Sequence, residues 1–575
     1  MDVNASSQPG SAPASRVDEL EGQLATALAE RDQYRQLYVE MLEHSRKLEL
    51  GIFGQRSERW PGSDKQLSLD ILTALAPAMQ PNEPVATTLV PSHTRHKPTG
   101  RQILPEALPR ITVEVLPDEV QRAGLDAFER IGEEVSETLE YRRSSIVVMR
   151  IVRPKFVARR VPQFTQDAAT QAAAENTAEQ DAAATQAAAE NTAEQDAAAM
   201  VHEVAATTPT TSSPKVLIGS LPEMPIPRCL AGPALLAQTV VQRWEDSLPL
   251  NRLEGIFARE GVSLARSTLC GWHTQLAQLC RPLVAAMKRD ALQQPLLCTD
   301  ATGVLVQAKE KCRHAHFWVL VAPHRHVLFM YSRKHDSETV DKLLGGYQGY
   351  LLADAHSVYD HLYGDKITEV GCWAHARRYF FKALNSDPLR ARHALALIGK
   401  LFHIERDAAE KSAKDRAAIR KLKSSKVVDE FFLWCEQEAL RTLDQTPIHA
   451  AIRYANNQKE ALRQFLRDVR LPLDNNISER ALRRQAVGRK NWLFVGSDEG
   501  GESNAIFVSL LASAKLQGIE PTAYLRDLFF ILPLWSQTRL LELSPMLWKE
   551  TLEKAETQKL LAANHYRTAL LKLER

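Results

Sequence analysis

Apolar residues recur at heptad spacing near the start of the chain. Val17, Leu24 and Tyr38 occupy one core position and Leu20, Ala27, Tyr34, Met41 and Leu48 the other, with Arg31 and Ser45 as polar exceptions. A 3.5-residue period held over residues 17–50 predicts a short coiled coil, and with it a homodimer or higher oligomer. A helix docked on the chain's own core is the alternative. Before it, the Ser/Pro/Ala-rich residues 1–16 are expected to be a disordered tail. After the basic turn Phe53–Arg59, Pro, Thr and basic residues predict an extended linker over 51–110 that lies along phosphates or is merely solvated.

Alternating apolar positions such as Ser144–Val152 then predict a small β module over 111–164. The segment Thr170–Ala184 recurs without change as Thr185–Ala199. Two copies are too few for a solenoid, so 165–215 reads as an Ala-rich spacer without chemistry of its own. From 216 to 292 the period becomes helical, with Leu235, Val240 and Trp244, then Leu253, Ile256 and Phe257. Ser267, following the turn Glu260-Gly261-Val262, is the expected N-cap of the next helix, which gives a small helix-turn-helix-like domain, either a DNA reader or scaffold.

At Pro295 the pattern changes to strands. Three are predicted at Leu296–Gln307, His316–Ala322 and Val327–Ser332, then a helix near Glu338–Tyr347, a strand at Tyr350–Ala353, a helix near Ser357–Tyr363 and a strand at Ile367–Cys372. That order is the one expected of an α/β ribonuclease-H-like domain, with its first part over 293–386, a long helical insertion over 387–470 and its carboxy-terminal part over 471–534. A helical tail completes the chain over 535–575.

Composition narrows the class without deciding it. With 72 basic and 70 acidic residues among 575, the net charge is +2, so DNA binding has to come from local clusters. The seven cysteines contain no C-x-x-C pair, which argues against a disulfide framework or zinc ribbon and for a reducing compartment. The absence of a long apolar run predicts no membrane partner and a cytoplasmic location.

The candidate chemistry lies in three carboxylates. Asp300 interrupts an apolar strand and Asp354 closes another, and each costs several kcal/mol there unless paired or bound to metal. In the predicted sheet these strands are neighbours, so the two carboxylates converge; capped strand-end aspartates are the alternative. Glu479 follows in the early turns of the helix after Asp474-Asn475-Asn476, one of which is expected to cap it, and Asp474 is the rival third ligand. Two Mg²⁺ ions about 3.5–4 Å apart would activate the nucleophile and stabilise the leaving oxygen of a phosphodiester. Around Glu479 the basic residues Arg480, Arg483, Arg484, Arg489 and Lys490, with Trp492 and Phe494, suit phosphate gripping and stacking on an unpaired base. Arg377 and Arg378 form a second basic candidate. They lie in Cys372-Trp373-Ala374-His375-Ala376-Arg377-Arg378, where Cys372 and His375 alone make a poor zinc site.

The text Thr299–Val304, Tyr350–Ala355, Gly371–Arg378, Asp474–Gly496 and Gly518–Leu525 resembles the transposases of the insertion sequence 66 family. The likeness runs from the coiled coil to about Leu534. It implies the DDE role for Asp300, Asp354 and Glu479 as catalytic and metal-binding residues, Mg²⁺ or Mn²⁺ as the cofactor, and strand cleavage and transfer on terminal inverted repeats and target DNA. Accessory proteins of the same element are implied partners. The alternatives are a non-catalytic DNA-binding descendant and a nuclease that cuts without joining strands. Two departures stand out. Where members carry a cysteine-rich segment, residues 116–161 have no cysteine although Arg130–Ser136 still matches, so no zinc is expected there. The Ala-rich repeats are the other.

Overall fold

The computed structural model describes residues 104–142, 145–159, 215–221, 223–309 and 311–574. The predicted tail and coiled coil, and almost all of the basic linker and the Ala-rich spacer, lie outside these residues.

The alternating segment folds as strands. β1 (Arg110–Glu114), β2 (Phe128–Arg142), β3 (Ser145–Ala158) and β4 (Leu217–Ile218) form one sheet in the order β1-β3-β2, with β4 also on β3 and helix α1 (Asp118–Ala123) beside it. Ile146, Val147, Val148 and Met149 are all buried, so β3 is the core strand of this module. β2 is tied to the segment before the first long helix by main-chain bonds from Leu139 N to Leu230 O (2.7 Å) and from Gly232 N to Leu139 O (2.7 Å). Its neighbour Glu140 is fully buried and accepts the Ala234 and Leu235 amides (3.0 and 3.2 Å). These are first-turn N–H groups of α2 (Pro233–Trp244), whose N-cap Gly232 supplies no side chain, so a carboxyl group 94 residues upstream satisfies the orphan donors. A Cβ at Gly232 would run into that carboxyl group.

α3 (Leu250–Arg259) and α4 (Arg266–Ala291) flank a turn over residues 260–265. Ser267 is not the cap: α4 begins one residue earlier with Ala265 at the N-cap and no side-chain cap. The buried stripe Leu269, Trp272, Leu276, Cys280, Leu283 and Met287 sets the helix's rotation, and its register fixes where the chain turns in.

The second sheet contains β5 (Leu296–Val306), β6 (Arg313–Ala322), β7 (His326–Ser332), β8 (Gly349–Leu352) and β9 (Ile367–Val370), with α5 (Ser337–Leu344) between β7 and β8. All five predicted strands are present, in the order β7-β6-β5-β8-β9, antiparallel from β7 to β5 and parallel from β5 to β9. The helix expected near Ser357–Tyr363 is instead a 3-10 helix, Ser357–Leu362, capped when His356 Nδ1 accepts the Val358 amide. β6 is apolar from Phe317 to Ala322 and wholly buried, as a central strand covered on both faces must be.

Downstream the chain is helical: α6 (Trp373–Lys382), α7 (Pro388–Ala408), α8 (Ala413–Ile419), α9 (Ser425–Ala439), α10 (Pro447–Asn457), α11 (Lys459–Arg463), α12 (Asn476–Trp492), α13 (Asp498–Leu516) and α14 (Pro521–Ile531). α13 closes the edge of the sheet. Ser513 Oγ accepts the Val327 amide (3.0 Å) and donates to the Val327 carbonyl (3.1 Å), while Ser509 Oγ accepts the Phe329 amide (2.8 Å). Spaced one helical turn apart, the two serines meet alternate edge groups of β7 and blunt that edge against pairing with another strand. The terminal helices α15 (Trp548–Glu553), α16 (Ala555–Ala563) and α17 (His565–Glu574) are tied back through Arg567, which holds buried Asp527 of α14 with two bonds (3.0 and 3.1 Å). No helix among the described residues is long and apolar enough to cross a membrane.

Burial pushes the Glu140 carboxyl up to about 8, against the pull of the Leu235 and Ala234 amides. The folded chain therefore binds this proton more tightly than the unfolded chain, and stability falls as pH rises from about 4.5 to about 8. Chemical denaturation of Glu140→Gln, whose amide oxygen still accepts from α2, is expected to show a smaller loss of stability between about pH 5 and 8 than the parent. An equal loss would exclude Glu140 as its source.

Candidate active site

β5 and β8 run parallel in the register Leu296↔Tyr350, Leu297↔Leu351 and Cys298↔Leu352. Asp300 and Asp354 each stand two residues beyond the last pair, separated by the same 54 positions. Equal steps from paired residues of parallel strands place both residues at the same end of the sheet. Both are half-buried, which lowers the cost of charge that full burial would impose. Asp300 Oδ1 accepts the Ala301 amide (2.7 Å) and Asp354 Oδ1 the His356 amide (3.2 Å), across a turn at Ala355 in the left-handed region (φ 57°). Tyr359 lies close to both: burial drives its hydroxyl well above the usual range, Thr299 opposes this, and the charges of Asp354 and Asp300 add to it.

The strands are unpaired beyond Cys298 and Leu352, and the next carbonyl, that of Thr299, needs another donor. The buried Asn475 side chain supplies it (Nδ2 to O, 2.8 Å), while the Asn475 amide donates to Cys372 Sγ (3.2 Å) at the start of α6. The Trp373 amide donates to Leu473 O (3.1 Å) and its indole to Leu462 O (2.9 Å). Gly371 allows this approach, because a Cβ there would meet the Leu462 amide nitrogen at 2.7 Å. Asn475 is the N-cap position of α12 but makes no side-chain cap; Asp474 instead accepts the Asn476 amide (3.1 Å) and side chain (2.6 Å).

Glu479 is therefore carried in the first turn of a helix moored to β5. Its carboxylate lies 3.1 Å from Arg378 Nη2 and 3.7 Å from His375 Nε2. Burial and Arg378 lower the His375 pKa, whereas Glu479, Asp354 and Asp474 raise it. The Asp474 carboxyl is raised, by burial first and also by Glu479, with Arg480 and His375 opposing. Cys372 serves as an acceptor in this packing, its thiol pushed up to about 11 by burial. Among the described residues no three His, Cys, Asp or Glu side chains already stand together as a metal cage. The oxygen donors Asp300, Asp354 and Glu479 nevertheless match a hard divalent cation in kind.

The basic residues around Glu479 divide into two groups. Arg480, Arg483 and Lys490 are exposed with Asn476 and Val487, the spacing of one helical stripe, and Arg377 and Arg378 are exposed on α6. Arg484, by contrast, pairs with Glu245, and Arg489 donates to Thr302 Oγ1 (3.0 Å) and Gly303 O (2.6 Å) of β5. Trp492 is 8% exposed and packs within 6.0 Å of the Arg243 guanidinium, so Phe494, at 40%, is the aromatic of the expected pair that faces solvent. The tethering role of Asn475 and the positions of Tyr359 and His375 were not read from sequence. The local text holds an N-cap signal at Asn475 but nothing that points to Thr299.

A profile described as "Transposase IS66 family" matches residues 228–503, which include all three carboxylates, and one described as "Transposase C of IS166 homeodomain" matches residues 41–113. Similar proteins of Sinorhizobium fredii (strain NBRC 101917 / NGR234) carry only the names of uncharacterized proteins. The chain is 28% identical to y4hP over 536 residues, 88% of this chain and 87% of that protein. It is 28% identical to y4jD over 537 residues, 87% and 92% respectively.

Asn475→Ala removes the donor to the Thr299 carbonyl and leaves a buried acceptor unsatisfied, a cost of about 1–3 kcal/mol. Denaturant titration should show that loss. Unchanged stability would mean that this bond does not moor the loop.

Proposed function

Because this chain belongs to the IS66 family of DDE-type transposases, we propose that it cuts and joins DNA strands at the ends of an insertion sequence, with Asp300, Asp354 and Glu479 as its catalytic carboxylates. The observation that carries the reading is the common register of Asp300 and Asp354 together with the mooring of the Glu479 helix on the same strand. The sheet order β7-β6-β5-β8-β9, antiparallel and then parallel, supports a ribonuclease-H-like catalytic domain.

Asp300, Asp354 and Glu479 would hold two Mg²⁺ or Mn²⁺ ions. When bound, the ions supply Lewis acidity toward the phosphodiester and lower the pKa of the attacking hydroxyl or water. The chain's own residues orient the DNA. Exposed Arg480, Arg483 and Lys490 on one face of α12, with Arg377 and Arg378 on α6, grip backbone phosphates. Arg378 also steadies Glu479 by its 3.1 Å contact, which keeps the carboxylate from turning away. Arg484, Arg489 and Trp492 act from inside, fixing α12 against Glu245 and β5. Phe494 offers a face for an unpaired base. The turn between α3 and α4 supports a helix-turn-helix reader whose exposed first-turn residues are Arg266, Ser267 and Thr268. Self-association through residues 17–50, target DNA and accessory proteins of the same element complete the proposed partners, and a cytoplasmic location goes with them.

The test is cleavage of a labelled duplex carrying the element's terminal repeat, in Mg²⁺ and in EDTA. The parent should nick at the repeat boundary only with metal. Asp300→Asn, Asp354→Asn and Glu479→Gln should each lose about 10³-fold or more in rate, the equivalent of several kcal/mol of charge stabilisation. Tight binding without any cut in the parent would overturn the catalytic reading in favour of a DNA-binding descendant.

A further inference from the structure

The helical insertion contains a charge-segregated hairpin. α7 runs out and the α8–α9 rod returns beside it, since Arg390 pairs with Glu438 near one end (2.5 Å) and Glu405 with Arg420 near the other (2.7 Å). Between residues 400 and 426, around the tip, nine basic residues face four acidic ones; from 427 to 444 on the returning arm, five acidic residues face one basic. Solvation alone favours mixed surfaces, so this segregation calls for a cause.

The rod carries a π turn at Arg420–Ser424 that joins α8 to α9. Arg420 points inward from it: it is buried, and its guanidinium donates to the carbonyls of Phe465 (2.6 Å), Asp468 (3.1 Å) and Leu471 (3.0 Å). Leu471 opens the segment that reaches Asp474 and Asn475. The outward residues are different. Lys414, Lys421 and Lys426 are exposed and form a stripe, seven residues apart and then five across the π turn, where one extra residue per turn keeps the face aligned. Lys411 and Lys423 are exposed beside them, and among the described residues none of the five has a carboxylate partner. Of the four acids at the tip, Glu405 is spent on Arg420, Asp407 lies beside His403 and Asp415 is held by Ser412, which leaves Glu410 exposed next to Lys411.

We propose that this tip is a second duplex-DNA surface, which binds backbone phosphates without regard to base sequence. The stripe spans roughly 18 Å at the α-helical rise, long enough to follow about five phosphates of one strand. Long flexible lysines acting as point charges suit phosphates whose register is not fixed, whereas the bidentate arginines lie nearer Glu479. Through Arg420 the same turn braces the segment before Asp474, so duplex held on the tip loads an element in contact with the catalytic loop. The proposal rests on the reading of this chain as a protein that acts on DNA.

The full chain is titrated into a labelled duplex of arbitrary sequence over a series of salt concentrations, followed by anisotropy, and compared with K414Q/K421Q/K426Q. Neutralising three phosphate contacts should make the slope of log K against log salt shallower by about 2–3 and weaken binding about tenfold or more at low salt. The charge-retaining K414R/K421R/K426R should bind like the parent, which separates charge from folding. An unchanged slope in the Gln variant overturns the proposal, and so does an effect confined to terminal-repeat duplex, which would make the surface a sequence reader. A parent that binds with a steep salt slope but never cuts overturns the transposase reading and leaves this one standing.

Discussion

The buried carboxamide of Asn475 is the bond on which the site's geometry depends. β5 and β8 must part beyond Cys298 and Leu352 for carboxylates at 300 and 354 to reach solvent, and parting leaves the Thr299 carbonyl without its ladder partner. Such an acceptor is costly to bury unmet. Asn475 meets it from a segment 176 residues further along the chain, and the same residue marks the start of α12. One hydrogen bond thus closes the gap in the sheet and sets the position of Glu479.

That solution needs the rest of α12 held as firmly as its first turn. Arg489 binds Thr302 and Gly303 near the far end of β5, and Val495 then adds a strand-like bridge, exchanging bonds with Leu305 and Gln307 (2.8 Å each). α13 comes directly after and covers the β7 edge through Ser509 and Ser513. The helical insertion contributes the opposite mooring, since Trp373 packs among Phe431, Phe432 and Phe465 and Arg420 gathers three carbonyls of the 465–471 segment. The chain between Asp354 and Glu479 is therefore a brace for the segment that leads into α12 as well as a connection.

Charge follows the same division of labour. Arginines that point into the molecule, Arg420, Arg484 and Arg489, carry planar guanidinium groups with several fixed donors and satisfy carbonyls and carboxylates at once. The exposed cations include those on α6, on one stripe of α12 and on the hairpin tip. A net charge of +2 conceals this arrangement, because acidic residues on the hairpin's returning arm offset the basic tip.

The strand sequence 296–372 and the position of each carboxylate were legible in the chain because side-chain alternation and strand ends are local properties. A two-residue period shows which face a residue takes, and Asp300 and Asp354 break apolar runs that only a sheet interior explains. The helical character of 387–470 was legible for the same reason. Ser267 as a cap was misread, since α4 already starts at Arg266 with Ala265 before it, and the helix expected near Ser357–Tyr363 formed as a 3-10 helix over Ser357–Leu362. The basic run 480–490 was one cluster in sequence. Folding divided it, because Glu245 and the β5 carbonyl that claim Arg484 and Arg489 are close only in space. Burial of Trp492, the Asn475–Thr299 bond and the cover on the β7 edge were likewise tertiary decisions. Each satisfies a polar or apolar group whose partner lies far away along the chain, and local periodicity carries no record of such partners.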